Sequence, residues 1–249
     1  MTEAAISRAA ELVAGARRGL AFTGAGVSTE SGIPDFRGPN GVWKSADPKT
    51  SSIQFFMADP GAYWRISRDR YPKYHTASPN LGHFALAALE ESGHLAGLVT
   101  QNTDGLHLDA GSRRVIEVHG NGRSVRCLDC GATEPRPQVQ SRLGSELPPR
   151  CVGCGGSFLK PNVVLFGEPM PAEAMAEAYA LADSADLVLV AGSSLAVYPA
   201  ADVPLAAVRA GAPLVIVNAE PTPFDQLAAV IIRGQSGEVL PRLQELAGG

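Results

Sequence analysis

Apolar residues at Ile6, Ala9, Leu12, Val13 and Ala16 recur at helical spacing and predict a first helix over residues 4–18, stopped by Gly19. Leu20-Ala21-Phe22-Thr23 is a short apolar run that predicts a buried strand, and a Gly-Ala-Gly turn follows it at once. The alternation resumes further on. Helices are predicted over residues 81–91, 172–182, 203–210 and 239–246, and strands over residues 95–100, 115–118, 162–166, 187–191 and 214–217. The run at 187–191 has no polar member, as in strands covered on both faces. Strands alternating with helices predict an α/β fold built on a parallel sheet.

Two stretches break the alternation. Residues 38–80 carry Pro39, Pro48, Pro60, Pro72 and Pro79, several aromatics and much of the basic charge, and read as a partly helical insert with loops. Residues 120–159 hold all four cysteines and form a second insert. The 249 residues suffice for one large domain with a smaller appended module.

With 45% hydrophobic and 18% charged residues the chain has an ordinary globular composition. Its net charge of −4 gives no reason to expect a non-specific grip on nucleic acid or on an acidic membrane, but leaves room for a basic partner such as a lysine-bearing protein segment. No apolar run approaches the roughly 20 residues that span a bilayer. Residues 1–18 lack the basic start and apolar centre of a signal peptide, so the expected location is the cytoplasm. Cysteines there point to metal before disulfides.

Cys127-Leu128-Asp129-Cys130 and Cys151-Val152-Gly153-Cys154 are two CxxC knuckles separated by 20 residues, a spacing suited to one tetrahedral zinc ion. Four thiolates close the coordination shell and leave no position for water, so the expected role is structural. A redox CxxC would not need a matched second pair.

Gly24-Ala25-Gly26-Val27-Ser28 follows the first predicted strand, where glycines let backbone N–H groups approach a phosphate. On its own this is equally a tight strand-to-helix turn. The dehydrogenase fingerprint wants glycine where Thr29 stands, and an acid at the end of the next strand, whereas the nearest candidate, Asp47, lies in the proline-rich insert.

The continuation changes the picture. Gly24-Ala25-Gly26-Val27-Ser28 with Ser31-Gly32-Ile33-Pro34-Asp35-Phe36-Arg37, then Gln101-Asn102-Thr103-Asp104-Gly105-Leu106-His107, Val118-His119-Gly120, the paired knuckles, Phe166-Gly167-Glu168, Gly192-Ser193-Ser194-Leu195 and a strand ending at Asn218 resemble the sirtuin signature, in the family's order, from residue 24 to about 218. The resemblance implies a Rossmann-like NAD-binding domain (residues 1–37, 76–119 and 160–249). It also implies a small domain made of a helical insert (38–75) and a zinc-ribbon insert (120–159). The ligands would meet in the cleft between the two.

The implied activity is NAD-dependent removal of acetyl, or other apolar acyl, groups from protein lysines. The acyl oxygen attacks the ribose carbon as nicotinamide leaves, the 2′-hydroxyl closes on the adduct with help from a histidine base, and water completes the reaction. The products are free lysine, nicotinamide and O-acyl-ADP-ribose. Of His75, His83, His94, His107 and His119, only His119 matches the family's base, and an imidazole can accept a hydroxyl proton near neutrality; Asn102 joins it as a catalytic candidate. By the same resemblance Asp104 reads the nicotinamide amide and Gln101 and Asn102 lie near the ribose. Gly24, Ala25 and Gly26 cradle the pyrophosphate with help from Ser193, and Ser28 and Gly192 also belong to the cofactor site. Ile33, Asp35, Phe36 and Arg37 order the covering loop, with Phe36 shielding the reacting carbon. Asn218, Ser193 and Ser194 sit against the adenosine half, Ala219 also belongs to the cofactor site, and the expected final loop Gly234-Gln235-Ser236-Gly237, with Ser236, touches adenine. Val164, Phe166, Gly167 and Glu168 on one side, and Leu195, Ala196 and Val197 on the other, are the edges between which the acyl-lysine peptide is pinned as an added strand.

Members that prefer acidic acyl groups carry a Tyr-x-x-Arg pair in the first insert; here the ungapped positions hold Trp64 and Ser67, with Arg65 and Arg68 beside them. A carboxylate buried there would lack its cation, so deacetylation is expected over desuccinylation. The expected partners are acyl-lysine proteins or peptides, with no membrane or direct nucleic-acid contact, and the chain is expected to be a monomer. The competing readings are a mono-ADP-ribosyltransferase on the same scaffold, a non-catalytic zinc-stabilised binding module and a hydride-transferring dehydrogenase.

Overall fold

A computed structural model describes residues 3–39 and 41–248. Met1, Thr2, Asn40 and Gly249, which the expected domain ranges include, lie outside the described residues. Along the chain run α1 (Glu3–Gly15), β1 (Gly19–Thr23), α2 (Ile53–Ala58), α3 (Pro60–His75), α4 (Leu81–Glu91), β2 (Leu95–Thr100), α5 (Leu106–Asp109) and β3 (Val115–Glu117). Then come β4 (Gly120–Cys127), β5 (Thr133–Pro135), α6 (Arg136–Arg142), β6 (Leu159–Val163), α7 (Ala172–Ser184), β7 (Leu187–Ala191), α8 (Asp202–Arg209), β8 (Leu214–Val217), β9 (Val230–Ile232) and α9 (Ser236–Gly248).

The large sheet is parallel throughout, in the order β3-β2-β1-β7-β8-β9. Numbered within the sheet this is 3-2-1-4-5-6, the Rossmann order, and the direction of winding reverses between β1 and β7. The burial of β7 shows why its sequence has no polar member. Leu187, Leu189 and Ala191 join the core with Ile6, Leu86 and Leu243 from α1, α4 and α9, while Val188 and Val190 join the core with Leu181 and Val203 from α7 and α8. Each residue of the strand is therefore buried, on alternate faces.

The two inserts fold together. β4 is the centre of an antiparallel sheet, β5-β4-β6, and Phe56 and Trp64 from α2 and α3 share one core with Val125, Cys127, Val139, Leu143, Leu159 and Leu165. Among the described residues no helix is long and apolar enough to cross a membrane.

Several boundaries differ from expectation. α1 stops at Gly15, because the N–H groups of Arg17 and Arg18 donate to the Asp186 carboxylate instead of continuing the helix. The strand expected over residues 162–166 is β6, which begins at Leu159 and pairs with β4, not with the large sheet. β9 was not expected at all; three residues at a sheet edge are too few to show a period. The closing helix starts at Ser236, so Ser236 and Gly237, expected in a loop, form its first turn, and Glu30 Oε2 accepts from Gly237 N at 2.6 Å.

Candidate active site

The crevice at the β1/β7 reversal is where an open α/β sheet of this order binds ligands. Its floor is a close crossing of two glycine turns. Gly24 N donates to Ala191 O (3.2 Å) and Gly26 N to Gly192 O (2.8 Å). A Cβ on Gly26 would stand 2.8 Å from Gly192 Cα, so these glycines are required by the turn-on-turn contact itself. After Gly24 the chain enters a 3₁₀ helix, Ala25–Ser31, with Val27 and Ser28 buried beneath it.

The loop after β2 lies alongside. Gln101 N donates to Thr23 O at 3.0 Å and Gln101 Nε2 to Ser193 Oγ at 2.8 Å, which joins the ends of β1, β2 and β7. Ser28 has no exposed surface; its hydroxyl donates to Asp104 Oδ2 (2.8 Å) and accepts from Asn102 Nδ2 (3.1 Å), while Asp104 Oδ1 accepts from Leu106 N (2.9 Å). Ser28 thus holds Asn102 and Asp104 in place from behind. Two histidines complete this layer. His83 Nε2 lies 3.4 Å from Ser28 Oγ, and His107 Nε2 lies 2.9 Å from Thr23 Oγ1. Burial pulls their pKa values down to about 4 and about 3, so both stay neutral near pH 7.

His119 sits between β3 and β4, part-buried. Its Nδ1 lies 2.9 Å from Gln101 O, and since a carbonyl can only accept, Nδ1 carries the proton and Nε2 the lone pair. Burial lowers its pKa below the ordinary 6.5, with the Gln101 bond opposing the shift. The neutral imidazole able to take a proton therefore persists below pH 6.5. If it is the base, the acid limb of the kcat/KM profile lies below pH 6.5, and a limb above that value in a pH–rate measurement would contradict this assignment.

Phe36 (40% exposed), Trp43 and Phe166 (46% exposed) form a row with ring centroids 5.3 and 5.8 Å apart, and the Arg37 guanidinium lies 4.3 Å above the Trp43 ring. Asp35 accepts from Gly38 N and closes that turn, with Ile33 buried behind it. Just after β8, the strand next to β7, Asn218 Nδ2 donates to Glu220 O and Ala219 is exposed, and Ser236 at the start of α9 is buried.

The two expected peptide edges are of mixed character. Phe166 and Gly167 are exposed, Val164 is half-buried and Leu165 is buried. Glu168 faces inward to an ion pair with Lys160. On the other edge Ser194 and Val197 are half-buried and Ala196 is exposed, whereas the Leu195 side chain lies in the core, 1% exposed.

The cysteines converge. Cys127 Sγ lies 3.7 Å from Cys154 Sγ and Cys130 Sγ 3.7 Å from Cys151 Sγ, with all four sulfurs within 4.8 Å of one another. Sulfur atoms at the corners of a tetrahedron with Zn–S of about 2.3 Å stand roughly 3.8 Å apart, whereas a disulfide needs about 2.05 Å, so the set fits zinc.

The Sir2 family model matches residues 24–199. This chain belongs to the Sir2 family. Curated relatives of this Sir2 chain agree along nearly its whole length. It is 46% identical over 241 residues to the NAD-dependent protein deacylase 2 of Archaeoglobus fulgidus (96% of this chain, 95% of the relative). It is 49% identical over 223 residues to the NAD-dependent protein deacetylase of Sulfurisphaera tokodaii (89% and 88%). A solved Sir2–p53 peptide–NAD⁺ complex superposes with a TM-score of 0.90 at 41% identity, over 96% of each chain.

Sequence reasoning missed part of the Sir2 site. Trp43 bridges Phe36 and Phe166, Thr23 and Thr100 bond each other at 2.8 Å under the crevice, and His83 backs Ser28. None carries a local signal; each is defined by a partner far away in the chain.

Proposed function

We propose that this chain is an NAD-dependent protein-lysine deacylase that removes acetyl, and other apolar acyl, groups and releases nicotinamide and O-acyl-ADP-ribose, with one structural zinc held by Cys127, Cys130, Cys151 and Cys154. One observation carries the reading. The hydrogen bond from His119 Nδ1 to Gln101 O leaves Nε2 as a proton acceptor beside the loop whose other members are locked to the β1/β7 crevice.

NAD supplies an activated carbon–nitrogen bond at its ribose and a leaving nicotinamide. The chain does the rest. The crossing at Gly24, Ala25, Gly26, Gly192 and Ser193 receives the phosphates, with Ser194, Asn218, Ala219 and Ser236 towards the adenosine end. Asp104 and Asn102, held by Ser28, bind and orient the amide and ribose. Phe36, kept in place by Ile33, Asp35 and Arg37, excludes water from the reacting carbon. His119 Nε2 accepts the ribose hydroxyl proton. Val164, Phe166 and Gly167 face Ala196 and Val197 across the peptide, while Glu168 and Leu195 shape those edges from inside. The working division is an NAD-binding part of residues 1–37, 76–119 and 160–249 and a small part of residues 38–75 and 120–159, with β6 crossing the last boundary. The working unit is a cytoplasmic monomer acting on protein lysines and not on nucleic acid.

The helix α3 supports the acyl preference. Trp64 is fully buried with Nε1 donating to Leu159 O at 2.8 Å, and Ser67 Oγ accepts from Arg136 Nη2 at 3.1 Å. Arg65 lies 3.8 Å from Asp59 and Arg68 3.0 Å from Asp69, so both are engaged with acids at the surface. Arg136 is buried between the Trp64 and Tyr71 rings, and burial lowers its pKa to about 10. An acetyl-lysine peptide is therefore expected to turn over about 10-fold or more faster than the succinyl form, since a buried carboxylate without its cation costs more than 1 kcal/mol. Faster succinyl removal in a side-by-side kcat/KM measurement would overturn this preference and point to Arg136 as the reader.

A further inference from the structure

Lys160 lies in β6 and is only 7% exposed. Its Nζ donates to Val163 O at 2.6 Å and Pro161 O at 3.2 Å, and pairs with Glu168 Oε2 at 3.0 Å. The same carboxylate oxygen accepts from Leu165 N at 2.8 Å, and Glu168 N donates back to Leu165 O at 3.0 Å. These bonds close a ring around residues 163–168 that holds the buried Lys160 ammonium against the half-buried Glu168 carboxylate.

Outside the ring, the segment is tied to the rest of the site at three points. Val164 N donates to His119 O (2.8 Å), Phe166 N to Ser51 O (3.0 Å), and Ile53 N to Phe166 O (3.0 Å). Leu165 is thereby drawn into the small-module core and Phe166 turned out against Trp43. A buried ammonium is a poor choice for stability alone: an apolar side chain of similar length would fill the space without the cost of desolvating two charges. What a charge adds is geometric selectivity, because it satisfies two carbonyls and a carboxylate only when the segment has one shape.

We propose that Lys160 is a positioning residue for the acyl-lysine peptide. Acting through Val163 O and Glu168, it fixes the turn at residues 165–168, and with it Val164 beside His119, so that the incoming peptide strand seats at one depth. This rests on the reading above that the segment receives the peptide. Lys160 does not touch substrate; it sets the edge on which substrate lies, and Glu168 serves the same clamp.

The test is a comparison of wild type with Lys160→Met, Lys160→Arg and Glu168→Gln by fluorescence anisotropy with a labelled acetyl-lysine peptide, together with KM values for peptide and for NAD. Lys160→Met is expected to weaken peptide binding by about 10-fold, as for the loss of a hydrogen-bonded buried charge. NAD KM should stay within about twofold of wild type, because the NAD side of the crevice is untouched. Lys160→Arg, which keeps the charge, should recover most of the peptide affinity. Should Lys160→Met not fold, the near-isosteric Glu168→Gln gives the same reading. Unchanged peptide affinity in a folded variant, or peptide and NAD KM rising together, would overturn the proposal. Wild-type protein that binds the peptide without deacylating it would count against the activity and leave the clamp standing; wild-type protein that does not bind it would remove both.

Discussion

Replacing His119 with alanine is expected to lower kcat for peptide deacylation by about 10²- to 10⁴-fold, the usual worth of a positioned general base, while NAD and peptide binding change by no more than a few-fold. The reason lies in how the side chain is held. His119 makes its bond through Nδ1 to Gln101 O, and the backbone contacts of its neighbourhood, Val118 N to Thr100 O and Val164 N to His119 O, do not involve the ring. Removing the ring therefore deletes the proton acceptor and leaves the cleft walls in place. Calorimetric binding of NAD and of peptide to the variant, beside single-turnover rates, separates the two effects. A variant that keeps more than a tenth of wild-type kcat would show that another group takes the proton. A nearby candidate for such a substitute is a poor one, since His107 is sealed off against Thr23 with its pKa depressed to about 3.

The second large effect concerns zinc. β4 carries Cys127, one of the four cysteines proposed to hold zinc, at its last residue and follows His119 directly at its first. Along its length it holds the loop that contains Asn102 and Asp104: Gly122 N donates to Thr103 O at 2.7 Å and Arg123 Nη2 to Gly105 O at 2.5 Å. Removing the ion, by chelation or by Cys151→Ser, takes away the closure of both knuckles. The small-module core, which includes Cys127 and Cys151 themselves, then loses its anchor. Activity is expected to disappear together with the metal, and the melting temperature to fall by on the order of 10 °C. Metal analysis, thermal melting and turnover on the same sample check this. A metal-free protein with wild-type melting temperature and turnover would show that β4 needs no zinc to keep its register.

How much of this was legible in the sequence depends on what each residue answers to. Residues 81–91, 95–100, 187–191 and 214–217 were read with their observed bounds, because burial on one helix stripe or on both strand faces writes a long, consistent pattern. β6 was misplaced for the opposite reason: Lys160 and Pro161 are buried within it, and a lysine in a core position hides the strand from any reading of apolar period. The paired knuckles announced their metal through spacing alone, and the four sulfurs do converge.

The cleft was legible as a set of motifs but not as a network. Ser28 and Glu168 look like ligand contacts in sequence, yet Ser28 is wholly buried holding Asp104, and Glu168 is bound to Lys160. Leu195 likewise goes to the core. The partners of Ser28, which are Asn102 and Asp104, lie more than 70 positions away, and although Lys160 is close to Glu168 in sequence, no apolar or polar period marks the two as a pair.

The measurement closest to the heart of the account is release of free nicotinamide from NAD, followed with and without an acetyl-lysine peptide. Deacylation predicts release that depends on the peptide, with one nicotinamide and one O-acetyl-ADP-ribose formed for each lysine freed. Release that proceeds equally well without peptide, label moving from NAD onto protein while the acetyl group stays on lysine, or reduction of NAD with no nicotinamide set free would each contradict it.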